Sequence, residues 1–408
     1  MFESMETAPP DPILGLSEAF RNDPNPNKID LSVGVYQDKS GHTPILASVR
    51  AAEARILKAE SSKGYQPISG KAEYGAAVQA LMLGEDHPIV CAGRAATAQT
   101  PGGTGALRVA ADYLARKHEG TSVWLSEPTW ANHPQIFAAA SVPTRTYPYF
   151  EKSTNSLAFG RMIQTLQHVP AGDVVLLHGS CHNPTGVDPT PQQWEQVGDL
   201  LASRGIVPLV DFAYQGFAAG LEQDAAGLRG LGRKLPEMII CSSFSKNFGL
   251  YAERVGAVTV VGAEQAAAGA VFSHVKQCIR ANYSNPPLHG AMIVLTVLND
   301  PALRHQWEGE LAAMRDRIHT MRRLFAKTLD EMGVKLSPDG GNRYLTEQNG
   351  MFSFSGLSKQ HVDRLRHEHS VYIVGSGRIN VAGMTTSNMG RLCEAIAGVI
   401  SASVQAAS

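Results

Sequence analysis

The chain has 408 residues, 43% hydrophobic and 18% charged, with 36 basic against 37 acidic side chains and 39 glycines. That length exceeds one ordinary core and sets an expectation of two domains. The near-balance of charge supplies no field for recruiting nucleic acid or an anionic membrane, so the expected partner is a small molecule.

Five cysteines, Cys91, Cys181, Cys241, Cys278 and Cys393, are odd in number and widely spaced, without a C-x-x-C pair. This argues against a disulfide framework and against a zinc site, and it fits a reducing compartment. The first residues, MFESMETAPPDP, show no basic region followed by an apolar run, and no stretch approaches the about 18 apolar residues of a membrane span. A cytoplasmic location, no membrane partner and no metal are expected.

Residues 1–12 are proline-rich and read as an N-terminal arm. A short helix from Ile13 to Asn22 follows, then the turn DPNPNK and an apolar strand from Ile29 to Tyr36. Pro44 reads as a helix start, with Leu46, Val49, Ala52 and Ile56 at helical spacing behind it. From Thr97 to Val261 helical patterns alternate with short apolar runs: Ala95–Thr100, Ser122–Leu125, Thr144–Tyr147, Val174–His178, Val207–Val210, Met238–Ser242 and Val255–Val261. Such alternation predicts an α/β fold with a mainly parallel seven-stranded sheet covered on both faces, and its site beyond the carboxyl ends of the strands. A long charged amphipathic helix is expected from Pro301 to about Met332. Strands at Met351–Phe354, Val371–Val374 and Arg378–Val381 then alternate with helices at Lys359–His369 and Ser387–Ser401. The expected division is a large domain over 45–314 and a smaller, discontinuous α/β domain over 13–44 and 315–408.

The stretch Ser242 to Arg254, SSFSKNFGLYAER, ends an apolar strand in three serines, a lysine and, eight residues on, an arginine. Hydroxyls and a guanidinium suit a phosphate. A lysine among small polar residues at a strand end is placed to become the neutral amine that Schiff-base chemistry needs. The pattern therefore points to pyridoxal phosphate on Lys246, with Ser243, Ser245 and Arg254 around the phosphate. A solvated surface lysine fits the short S-x-S-K pattern equally well.

The segment TPGGTGALRVAADYL opens a helix after a strand, and its glycines let the backbone approach an anion at the positive helix end. Arg108 stands where a dinucleotide fingerprint has its third glycine, so Gly103 and Thr104 read as a single-phosphate cradle or as a purely structural turn. In LVDFAYQGF, Asp211 ends an apolar strand. A carboxylate there requires a partner, for which a pyridine nitrogen serves and a helix cap is the plainer alternative. Tyr214 and Asn183, the latter in HGSCHNPTG, are candidates for the ring's phenolic oxygen. Trp130 in EPTWANH suits stacking on a planar cofactor or packing in a core, and His133 is a candidate to tune Asp211. Arg378 in GSGRINVAGM and Arg280 in RANYSNPP offer the planar fork that grips a carboxylate, or two surface ion pairs.

Together, QTPGGTGALRVAADYL, HNPTGVDPT, DFAYQGF, SFSKNFGLYAERVG, RANYSNPP and NGMFSFSGL resemble the class I aspartate aminotransferases, fold-type I pyridoxal phosphate enzymes, and in particular their bacterial aspartate and aromatic members. The resemblance runs from about Asp11 to Ile400, with the motifs in the same order. It implies that Lys246 forms the Schiff base, that Asp211 pairs with the pyridine nitrogen, and that Asn183 and Tyr214 bond the ring oxygen. Trp130 would stack on the ring, and Gly103, Thr104, Ser243, Ser245 and Arg254 would hold the phosphate, with Tyr65 reaching in from a partner subunit. Arg378, helped by Gly34 and Asn183, would take the substrate α-carboxylate. Arg280, again from the partner, would take the distal carboxylate.

The resemblance further implies a homodimer with shared active sites and a ping-pong exchange between an amino acid and 2-oxoglutarate, with the Lys246 amine as base. Val35, Thr43, Thr104 and Asn285 look like the aspartate branch, whereas Gln37 and Gly64 depart from it and leave aromatic or dual specificity as the alternative. A β-lyase or decarboxylase on the same fold is disfavoured by two carboxylate clamps. A cofactor-binding regulator is disfavoured by the lack of a basic or DNA-binding segment before the core.

Overall fold

The computed structural model describes residues 2–7, 14–337 and 341–407. Of the stretch expected as an arm, only residues 2–7 are among them. The chain divides into two compact units, one of Pro44–Glu151 with Ser156–Asp316, the other of Met1–Thr43, Lys152–Asn155 and Arg317–Ser408. Its strands in chain order are β1 (Ile29–Asp30), β2 (Ala95–Pro101), β3 (Val123–Glu127), β4 (Thr144–Pro148), β5 (Phe150–Glu151), β6 (Ser156–Leu157), β7 (Val174–His178), β8 (Val207–Phe212), β9 (Met238–Ser243), β10 (Val255–Val261), β11 (Phe352–Phe354), β12 (Val371–Tyr372) and β13 (Arg378–Asn380).

In the first unit the apolar runs become one seven-stranded sheet of order β2-β10-β9-β8-β7-β3-β4. Every neighbouring pair is parallel except those of β10, which runs against both β2 and β9. Every residue of β7, β9 and β10 is buried, which is why these segments read as continuous apolar runs rather than as alternation. The helix Gly102–Lys117 lays Ala106, Leu107, Val109, Ala110 and Leu114 into a core shared with Leu176, Leu209, Ile239 and Val258 of the sheet.

The first amphipathic helix starts at Ala47, three residues after the proline at which the sequence places it. The Glu310 carboxylate accepts from the amides of Ala47 (2.6 Å) and Ser48 (3.2 Å) and from the Ser48 hydroxyl (2.5 Å). A distant acid thus supplies the N-terminal cap that no local side chain provides.

The second unit is built differently. β1 pairs in parallel with β12, and β11 antiparallel with β13, each over two or three residues. The strand expected from Ile29 to Tyr36 ends after Asp30, because the Asp30 carboxylate turns back to accept from the amide (2.9 Å) and hydroxyl (2.6 Å) of Ser32. The backbone beyond is satisfied by a side chain: Asn380 Nδ2 donates to the carbonyls of Val33 (2.7 Å) and Val35 (2.8 Å). Arg322, fully buried, donates to the carbonyls of Leu345, Gly350 and Phe352 and to the Ser353 hydroxyl at 2.6–2.9 Å.

Among the described residues no helix is long and apolar enough to cross a membrane, and no group of three or more His, Cys, Asp or Glu is placed to hold a metal ion. All five cysteines are free thiols, and only Cys91 is exposed. Burial pushes the thiols of Cys241 and Cys278 up and that of Cys393 to about 12.

Candidate active site

Parallel pairing aligns the carboxyl ends of β7, β8 and β9, and the chemistry of the Pro44–Asp316 unit gathers there. His178 ends β7 opposite Asp211 of β8, and Asp211 lies opposite Cys241 of β9. Asp211 is 9% exposed and accepts from or shares a proton with His133, whose Nε2 is 3.1 Å from its Oδ2. Burial alone would raise the Asp211 carboxyl, but the His133 hydrogen bond, with the Lys246 charge, outweighs it and holds the group below its ordinary value. The carboxylate is therefore ionised in a buried place, aimed from a strand end.

Behind it lies a stack of imidazoles. Thr129 Oγ1 is 2.8 Å from His133 Nδ1 and 3.2 Å from His178 Nε2. The His178 ring lies 4.1 Å from that of His182, which stacks on Tyr149 at 3.9 Å and 13°. Burial lowers His178 to about 3 and His182 well below its ordinary value, so both rings are neutral at physiological pH. Trp130 meets His133 edge-on, with centroids 5.2 Å apart. The expected link between His133 and Asp211 is present. Thr129, His178, His182 and Tyr149 were not singled out from the sequence, although H-x-x-x-H in HGSCHNPTG, directly after an apolar run, was the available signal.

Beyond β9 the chain turns at residues 245–248, and Lys246 lies in that turn with its Nζ 5.0 Å from the centre of the Tyr214 ring. Ser243 Oγ donates to Ser245 Oγ at 3.2 Å, and Arg254 Nη1 donates to Ser245 Oγ at 3.4 Å. The Arg254 guanidinium lies against the start of the helix Gly102–Lys117: a Cβ on Gly102, whose φ is +71°, would come within 2.5 Å of Arg254 Nη2. A Cβ on Gly103 would come within 3.0 Å of Ser243 Cβ. Gly103 and Thr104 occupy the first turn of that helix, whose leading amides have no partner within the helix. Two hydroxyls, one guanidinium and a positive helix end come together where glycine allows close approach, a donor set whose chemistry suits an anion such as phosphate. Asn183 is buried, five residues beyond the end of β7.

The remaining residues expected at the site do not join these contacts. Arg280, in the last turn of the helix Gln265–Asn282, is exposed and donates to the Ser284 hydroxyl. Tyr65 is 95% exposed and, with Gly64 and Asn285, lines a surface cleft of the same unit. In the other unit Arg378 is buried, donating Nη2 to the Ser32 carbonyl at 2.5 Å, with its guanidinium 4.3 Å from the centre of the Phe352 ring. Gly34 lies against that same ring, so closely that a Cβ would fall 2.6 Å from Phe352 Cζ.

Known proteins resemble this chain along nearly its whole length. The family model described as aminotransferase class I and II matches residues 26–396. The chain is 52% identical over 400 residues to the aspartate aminotransferase of Escherichia coli (strain K12), covering 98% of this chain and 100% of that protein. It is 44% identical over 402 residues to the aromatic-amino-acid aminotransferase of the same organism, again covering 98% and 100%. Among solved structures it is similar to an aromatic-amino-acid aminotransferase from Burkholderia pseudomallei covalently bound to pyridoxal phosphate. That match has a TM-score of 0.94 and 45% identity, covering 98% of this chain and 99% of that one.

Proposed function

We propose, since this chain belongs to the aminotransferase class I and II family, that it is an aspartate aminotransferase, moving the amino group of L-aspartate to 2-oxoglutarate with pyridoxal 5'-phosphate as cofactor. The observation that carries the reading is the ionised Asp211 at the end of β8, in the same unit as Lys246 and the Ser243–Ser245–Arg254 cradle. The residues present suit the cofactor: the missing side chains of Gly102 and Gly103 let Arg254 and Ser243 stand directly against the helix start, and a buried carboxylate matches a protonated ring nitrogen. Gly103, Thr104, Ser243, Ser245 and Arg254 would hold the phosphate, and Asp211 the ring nitrogen. Asn183 and Tyr214 would hold the ring oxygen, Trp130 the ring face, and Lys246 the covalent link. When bound, the cofactor accepts the electron pair released at the substrate Cα.

The chain's own residues do the rest. Lys246 Nζ takes the Cα proton and gives it back, acting as the positioned base. His133 holds the Asp211 carboxylate in its charged form, and the neutral His178 and His182 rings put no further charge behind it. Arg378, backed by the Phe352 ring with Gly34 on the same ring, takes the α-carboxylate as a planar fork. Arg280 takes the distal carboxylate of a dicarboxylic substrate.

Exposed Arg280 and Tyr65 support a homodimer in which each serves the neighbouring active site. Leu57 and Ile45, 81% and 52% exposed on the same unit, supply apolar surface for such contact. Free cysteines and the lack of a membrane-crossing helix among the described residues support a cytoplasmic location.

Aspartate is preferred over aromatic substrates because identity to the Escherichia coli aspartate enzyme exceeds that to the aromatic enzyme of the same organism. Dual specificity is the second reading, favoured by Gln37 and by Gly64 beside Tyr65 in the surface cleft. A single-turnover titration decides between them by following the absorbance of the cofactor-loaded protein as L-aspartate, L-tyrosine and L-phenylalanine are added separately. Rapid bleaching by aspartate alone is expected. Comparable bleaching by the aromatic acids would establish the second reading, and no bleaching by any of the three would remove both.

A further inference from the structure

The residue after Lys246 is gripped by a side chain 60 positions away. Trp307, wholly buried on the helix Pro301–Glu331, donates its Nε1–H to the Asn247 carbonyl at 2.7 Å and stacks on Phe248 at 4.4 Å and 19°. Phe248 meets Phe244 edge-on at 5.7 Å, Phe244 meets Tyr74 at 6.1 Å, and the Tyr74 hydroxyl donates to the Gly256 carbonyl at 2.9 Å. Four aromatic rings thus form a column, and its middle members stand two residues before and two residues after Lys246.

This column matters because the sheet ladder has stopped. β9 ends at Ser243, so Lys246 receives none of the repeated main-chain bonds that fix Asp211 in β8. Within the turn the Gly249 amide donates to the Lys246 carbonyl at 3.1 Å, and the Ser245 amide to Ser243 Oγ at 3.3 Å. Trp307 supplies a strong, short bond from outside the turn, together with a flat surface for it to rest on.

We infer that Trp307 is a positioning residue for Lys246. Its indole N–H and ring set where the turn sits and hence where Nζ points; the inference rests on the reading of Lys246 as the reactive amine. Trp307→Phe keeps an aromatic ring on Phe248 but leaves the buried Asn247 carbonyl without its donor, and the turn shifts to relieve it. A displacement carried to Nζ slows proton transfer and leaves the binding of substrate carboxylates alone, because those groups are held elsewhere.

The test compares the full-length protein with Trp307→Phe and with Leu201→Ala, a substitution in the core-facing side of the helix Pro191–Arg204 that loosens packing away from the turn. Expected for Trp307→Phe is a kcat for aspartate about tenfold lower with KM changed less than about twofold. The rate at which acetic anhydride acylates Lys246 in the cofactor-free chain, read by peptide mass spectrometry across pH, should change about threefold or more. Leu201→Ala should lower Tm at least as much while leaving kcat and the Lys246 acylation profile as in the unsubstituted protein. A Trp307→Phe variant that loses Tm but keeps both would overturn the inference. Borohydride reduction of the loaded, unsubstituted protein separates the two ways of failing. An adduct on Lys246 with an unaffected Trp307→Phe variant sinks this inference alone, whereas no adduct on Lys246 removes the reading of the lysine and the inference with it.

Discussion

In the Pro44–Asp316 unit, His178 and Asp211 are neighbours because β7 and β8 pair in parallel register over five residues, and the ladder delivers their side chains to one edge. In the other unit Arg378 sits beside Ser32 for a different reason. Its strand is three residues long, and Asn380 and Arg322 tie the surrounding backbone with side-chain donors. A ladder spreads its hydrogen bonds over many residues, so no single side chain is indispensable to it. A unit stitched by side chains concentrates several bonds in one residue and is correspondingly exposed to one substitution.

The largest effect belongs to the strand-end region and is one of chemistry rather than stability. Lys246→Ala should lower turnover by about 10⁴-fold or more while Tm stays near that of the unsubstituted protein, and retained turnover would take Lys246 out of its role. In the stitched unit the order reverses. Arg322→Leu takes a donor from four carbonyls and a hydroxyl at once and should cost about 3–5 kcal/mol in equilibrium urea unfolding. A loss below about 1 kcal/mol would show that side-chain stitching is not what holds this unit.

Smaller effects sharpen the picture within the first unit. Arg280→Ala should reduce kcat/KM for aspartate about 10²-fold more than for phenylalanine, and equal losses would remove Arg280 from the distal-carboxylate role. The imidazole stack should leave a signature in acid. His178 titrates near 6.5 when unfolded but is lowered to about 3 by burial, so the unfolded chain binds a proton that the folded one refuses. Stability present above pH 6.5 is therefore lost as pH falls toward 3, with a slope of up to about 1.4 kcal/mol per pH unit. His178→Gln should flatten the slope of unfolding free energy between pH 6.5 and 4.5. An unchanged slope would place the acid sensitivity elsewhere.

The readable parts of this chain are those whose cause is local. Asp211 and Lys246 stood out because each interrupts or ends an apolar run, and Gly103 because glycine before a helical pattern has few other uses. The run from Ile29 to Tyr36 misled because its pattern suits a strand, while the Asp30 turn that ends it depends on where one carboxylate folds back. Thr129 and His133, like His178 and His182, are four residues apart, but the two pairs meet each other only after strands far apart in sequence are paired, so spacing carries no trace of that meeting. Trp307 is hidden for the same reason: on its own helix it is one apolar position among many, and its bond to Asn247 exists only in three dimensions. Gly34 was legible as a candidate, but the Phe352 ring that forbids a side chain there was not.

The cysteines have a practical consequence. Four thiols are sealed in the interior, whereas Cys91 lies exposed at the end of a short helix in the Pro44–Asp316 unit. A maleimide used under native conditions should therefore tag one position per chain. That gives a native handle for a fluorophore or a solid support, attached to the unit that carries Lys246 without engineering a new residue.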